Sequence, residues 1–202
     1  MRGNLGLSAA IVALAGRANA HAFQGGAEPY SQFIEGAGVI VTYPGILLPI
    51  VAMGVAISLW NPDGLPRVWA FGLLGQAVGV FVAPYLGPWV ATAFIALGVI
   101  VAGLAAIWPE SRRAVITAMT GLIGFGAMVA ALQGHGLFEL SLFIHLGILF
   151  GANMCLAAGA GAAALALEKV PAHWMQVTWR VVASWIGAIL MLFLAFSLRG
   201  VS

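Results

Sequence analysis

Polar residues are so sparse along this chain that it reads as six long apolar runs, 38–60, 68–83, 89–108, 114–132, 138–167 and 177–198, separated by short breaks. None of the runs alternates with period two, and all exceed ordinary strand length, so the pattern predicts helices rather than the strands of a barrel. A hydrocarbon core ~30 Å thick takes ~20 helical residues to cross. The expectation is therefore an all-α integral membrane protein built as a bundle of six transmembrane helices. Its connections are brief: Asn61-Pro62-Asp63-Gly64 predicts a turn, and breaks at 84–88, 109–113 and 133–136 close the others, leaving no room for a second domain.

The amino terminus follows a different pattern. Arg2 precedes a short apolar stretch, 5–16, and Ala18-Asn19-Ala20 has the small-x-small form of a signal-peptidase site. The stretch is too short to span a bilayer. Residues 1–20 are accordingly expected to be a removed signal peptide and residues 21–202 a single six-helix domain beginning at His21.

Composition agrees with a membrane protein: 7% of residues are charged and 62% fall in the AVILMFWYC set, against about 25% and 45–50% in soluble domains. The net charge of +2 rests on eight Lys and Arg, two of them in the signal. That is too few for a nucleic-acid surface, and their placement follows topology instead. With an exported amino terminus and six spans, Arg67, Arg112, Arg113, Lys169 and Arg180 fall at the inner side and only Arg199 at the outer, as the positive-inside rule requires. A bacterial inner membrane with both mature termini in the periplasm is expected. Trp60, Trp89, Trp108, Trp174 and Trp179 fall near span ends, as an aromatic belt does.

Glycines recur at close spacing within spans, at 72, 75 and 79, at 121 and 124, and at 147 and 151, where small residues let helix backbones approach. In the first run, Pro44 and Pro49 remove two backbone donors, so this helix is expected to be bent or interrupted. Cys155 is the only cysteine, which rules out an internal disulfide or a CxxC pair. Nucleotide loops, nucleophile triads and haem-attachment sequences are absent, and no enzymatic activity is expected.

The residues able to carry chemistry are few. The fifth run contains Glu139, His145, Asn153 and Cys155. Glu139 and His145 are separated by ~600° of helical rotation and face different ways, whereas His145 and Asn153 fall within ~80° of each other and are expected to share an interior stripe. On the outer side, His21 would carry a free α-amine after cleavage. An amine and an imidazole together suit copper or nickel, and His135 in Gln133-Gly134-His135-Gly136 could join them, with Glu139, Glu35 or Glu28 nearby. His21, His135, Glu139 and His145 are the candidate metal ligands.

A signal ending at a His, six spans, a proline-bearing first helix and a Gly-His-Gly loop before the fifth span together resemble the HupE/UreJ family. That family is associated with nickel or cobalt uptake for hydrogenase and urease maturation. Aligning Tyr43-Pro44 with the His-Pro of its first-helix HPxxGxDH motif brings Leu59-Trp60 onto the family's Leu-Trp. The same alignment puts Tyr43, Pro49 and Ile50 where His, Asp and His stand. Leu156-Ala157-Ala158-Gly159 likewise matches a His-Leu-Ala-Gly segment with the His replaced.

The resemblance implies transport or delivery of a transition metal (nickel, cobalt or copper) in service of a metalloenzyme maturation system. The replaced ligands point to the alternative, a non-transporting accessory subunit packed beside a larger membrane complex.

Overall fold

Proline marks where three of the helices begin. In a computed structural model of the chain, which describes residues 28–137 and 139–199, Pro29 opens α1 (Pro29–Thr42), Pro44 opens α2 (Pro44–Trp60) and Pro66 sits in the first turn of α3 (Leu65–Val82). A proline there loses only an N–H that would have had no helical partner. Next come a 3-10 turn (Ala83–Tyr85), then α4 (Trp89–Ile107), α5 (Arg113–Ala131), α6 (Leu142–Lys169) and α7 (His173–Arg199). Every regular element among the described residues is helical, as expected, while the proposed signal peptide and His21 lie outside them.

The first span is corrected at its start. Helix begins at Pro29 rather than at residue 38: Pro29 sits in its first turn, and Gly36 carries the buried face of Val39 and Ile40 back into a mixed segment that an apolar-run criterion leaves out. The expected interruption is present, and it lies at Tyr43, whose extended backbone (φ −102°, ψ 102°) separates α1 from α2 at a bend of 76°. The ring of Pro44 disfavours helical geometry in the residue before it, which is why the break falls there. Pro49 stays inside α2 without ending it. The predicted turn after α2 is an Asx turn, with the Asp63 N–H donating to Asn61 Oδ1 at 2.9 Å and the Gly64 N–H to Asn61 O at 2.8 Å.

Five helices are long and apolar enough to cross a membrane, and the bent α1–α2 pair makes a sixth span if taken together. Packing supports taking them together. Gly36 of α1 lies against the backbone at Ile144 and Ile148, and Gly151 against Ala37 and Ile40. Further along α6, Gly54 and Ser58 of α2 meet Leu156 and Ala160, the Ser58 hydroxyl donating to Ala160 O at 2.7 Å. Thus α1 and α2 advance along α6 in one direction, as two halves of one span do.

The other pairs fit the same topology. Gly72 meets Thr120, Gly75 meets Gly121 and Gly79 meets Phe125 and Met128, so α3 and α5 run parallel. Gly98 meets Leu190, Gly187 meets Ala102, and Arg180 Nε donates to Ala106 O at 2.7 Å, so α4 and α7 run antiparallel. In a chain of six alternating spans, the first and fifth are parallel, the second and fourth are parallel, and the third and sixth are antiparallel. Every observed pair obeys this.

Helix α2 is the hub, packed against α4, α5, α6 and α7. Ile46, Ile50, Met53, Val55 and Ile57 are buried along it. The outer helices present Phe71, Leu74, Val78 and Phe81 on α3, and Trp185, Leu192 and Phe196 on α7, exposed on the bundle surface. Apolar side chains so placed have the solvent they suit when that surface is lipid.

Candidate functional site

The loop between α5 and α6 holds two of the four predicted ligands. Gly134 turns the chain there with φ +83°, in the left-handed region that glycine enters without a Cβ clash. His135 is half-buried, its Nδ1 3.2 Å from the carbonyl oxygen of Gln133. Glu139 is exposed and closes the loop on itself, its Oε2 accepting from the Gly136 N–H at 2.7 Å.

The expectation that Glu139 belongs to the fifth helix is corrected. Helix α6 starts at Leu142 with Ser141 as its N-cap, the hydroxyl oxygen accepting from the Ile144 N–H at 3.4 Å, which leaves Glu139 outside. His145 lies one turn into α6, half-buried, with Nδ1 2.9 Å from Ser141 O. A carbonyl can only accept, so each of these hydrogen bonds takes a proton on Nδ1, and in the neutral ring that leaves Nε2 as the lone-pair nitrogen. Histidines that ligate metals are commonly oriented in this way. Among the described residues, no three His, Cys, Asp or Glu come together as a group able to hold a metal ion.

His145 and Asn153 do not act together. Asn153 is buried and takes part in a separate polar network, whereas His145 bonds back to its own helix start. The network joins α3 to α6. Trp69 Nε1 donates to Asn153 Oδ1 at 2.6 Å, and Asn153 Nδ2 donates both to Gln76 Oε1 at 2.8 Å and to Leu149 O at 2.7 Å.

Chemistry fixes the direction of every bond in this chain. An indole N–H only donates, so the Asn153 atom facing it is the oxygen; the Asn153 nitrogen then donates, so the Gln76 atom facing it is an oxygen too. Both Asn153 N–H groups are used, and Gln76 is left with its Nε2, a double donor.

Trp69, Gly72 and Gln76 lie three and four residues apart and so share one face of α3. The sequence reading singles out Asn153 but passes over Gln76 and Trp69. Yet a lone glutamine within the apolar run 68–83, among Gly72, Gly75 and Gly79, is a polar group in hydrocarbon as much as an asparagine is.

Beside Gln76 is a small cavity of about 10 Å³, lined by Gln76, Thr120, Gly72 and Gly124 and by apolar residues including Ile50 and Leu156. Thr120 is buried, and its hydroxyl donates to Ile116 O at 2.8 Å within its own helix. The buried polar side chains among the described residues are Ser58, Gln76, Ser111, Thr120 and Asn153, all neutral. The bundle interior thus offers amides and hydroxyls, with the half-buried thiol of Cys155 packed against it midway along α6. Comparison with known protein families, with curated proteins and with solved structures found no match to this chain.

Proposed function

We propose that this protein is a non-transporting accessory subunit of a bacterial inner-membrane complex, with the end bearing Arg67, Arg112, Arg113, Lys169 and Arg180 towards the cytoplasm. The observation that carries this reading is the interior. Its buried polar side chains are all neutral, and its helices close on one another through glycine-to-backbone contacts. A divalent cation crossing such a core would shed its hydration shell and meet, among the described residues, neutral amides and hydroxyls and the lone half-buried thiol of Cys155, at a cost of many kcal/mol. The broad apolar faces of α3 and α7 are available for a partner's helices as well as for lipid.

Native purification in a mild detergent tests the reading. An assembly larger than this chain alone, with stoichiometric partner subunits, is expected. A stable lone monomer or simple homo-oligomer would overturn it.

A second reading, delivery of nickel, cobalt or copper at the outer face, is favoured by one arrangement. Helix α1 runs parallel to α6 and starts beside the beginning of α6, so the segment leading back to His21 joins the bundle at the same end as His135, Glu139 and His145. The proton positions on His135 and His145 suit ligation through Nε2. Such a role would be in keeping with the resemblance to HupE/UreJ proteins and with a metalloenzyme maturation system as partner. Mature protein should then bind Ni²⁺ or Cu²⁺ stoichiometrically, with loss of binding in His21→Ala or His135→Ala; unchanged binding in both variants would remove the proposed site.

A further inference from the structure

We infer that Gln76 and Thr120 hold a single water molecule inside the bundle, at the meeting point of α2, α3, α5 and α6. Two independent lines lead to it. The first is the bonding of the amide network: its directions are fixed from the Trp69 end, and they leave Gln76 Nε2 with two N–H groups that no bond in the network uses. Gln76 is only 3% exposed. Gln76 Nε2 is not among the fully enclosed unpartnered atoms of the described residues, so its N–H groups border water-sized space, where a ligand that accepts is favoured.

The second line is space. The cavity that Gln76 lines measures about 10 Å³, close to the ~10–15 Å³ that admits one water and far too small for an organic solute. Thr120 lines the same cavity. Its hydroxyl proton is committed to Ile116 O, so towards the cavity the Oγ1 can only accept. Water is the ligand that meets both demands, accepting from Gln76 Nε2 and donating to Thr120 Oγ1. Gly72 and Gly124 line the cavity with backbone alone, and Ile50 and Leu156 give it apolar walls. The water extends the α3–α6 network to α5 and makes one polar node of three helices.

The experiment is water-edited solid-state NMR on the full chain in phospholipid bilayers, with glutamine side chains ¹⁵N-labelled. The Gln76 signal is assigned by its disappearance in Gln76→Met. Rapid magnetisation transfer from water to the Gln76 side-chain amide is expected, with Gln133 in the loop as the positive control. Transfer should fall several-fold in Thr120→Val and recover in Thr120→Ser, which restores the hydroxyl.

A Gln76 amide that receives no water magnetisation while Gln133 does would overturn the inference, as would transfer unaltered by Thr120→Val. Transfer from lipid protons instead of water would assign the acceptor to a lipid carbonyl and equally overturn it. Should Gln76→Met not fold, Gln76→Glu serves for the assignment.

Discussion

Asn153 makes more side-chain bonds than any other residue of the bundle's polar network, donating twice and accepting once. Replacing it with leucine strands the Trp69 indole N–H and the Gln76 carbonyl oxygen together. Hydrogen bonds between membrane helices are individually modest, about 0.6 kcal/mol on average and rarely above about 1.7. Asn153→Leu is therefore expected to lower stability by roughly 1–2 kcal/mol, measured by unfolding in mixed detergent micelles. A double-mutant cycle with Gln76→Leu should give a coupling of about 0.5–1.5 kcal/mol, and strict additivity would show that the two amides do not interact.

This scale was the least legible in the sequence. Helical rotation placed His145 and Asn153 on one stripe, but rotation alone says nothing of the carbonyl of Ser141 one turn back, which takes the His145 ring. Trp69 has an exposed face and a buried bond, a division of one side chain that hydropathy cannot resolve.

The elements were largely legible because their causes are local. Four of the six expected spans fall close to helices α3, α4, α5 and α7, and the proline rule located an interruption in the first. What the sequence could not weigh was the unequal effect of two prolines five residues apart. Pro44 stands where α1 already ends and Pro49 inside a helix held by its neighbours, with Gly98 of α4 against the Pro49 ring.

Pro44→Ala is expected to open the bend, lengthening the spin-label distance between residues 32 and 57 towards that of a continuous helix, which for residues 29–60 would be ~48 Å long. Pro49→Ala should leave the same distance unchanged. If Pro44→Ala leaves it unchanged as well, packing on α6 sets the bend rather than the ring.

Glycine contacts make a second prediction at this scale. A Cβ on Gly75 would strike the backbone of Gly121, whereas one on Gly38 or Gly103 would meet nothing within 4 Å. Gly75→Leu should cost roughly 1–3 kcal/mol or more, and Gly103→Leu should stay within about 0.5 kcal/mol of the parent.

At the scale of the whole molecule, direction is the informative quantity. The sequence proposed six spans by counting apolar runs and segregating basic residues; the packed pairs reach the same alternation without using charge. The two arguments are independent, since one rests on loops and the other on which glycine meets which backbone. Single cysteines introduced into a Cys155→Ala background at His135 and at Lys169 should label from opposite faces of sealed membrane vesicles. Labelling of both from one face would refute the six-span arrangement.

The pairing of α1 with α6 also sets a schedule for biosynthesis. The residues that meet, such as Gly36 and Ile144, are about 100 positions apart, so the partner of the first span is synthesised roughly 5–20 s after it at ordinary elongation rates. Throughout that interval the segment around Tyr43 and Pro44, where helical hydrogen bonding lapses, has to reside in lipid or in the insertion machinery without the surface that later covers it. A slow-moving ribosome, or a chain truncated before α6, leaves that opening exposed for longer. The nascent protein is thus most vulnerable to membrane quality control at its first span, and the fifth ends that period.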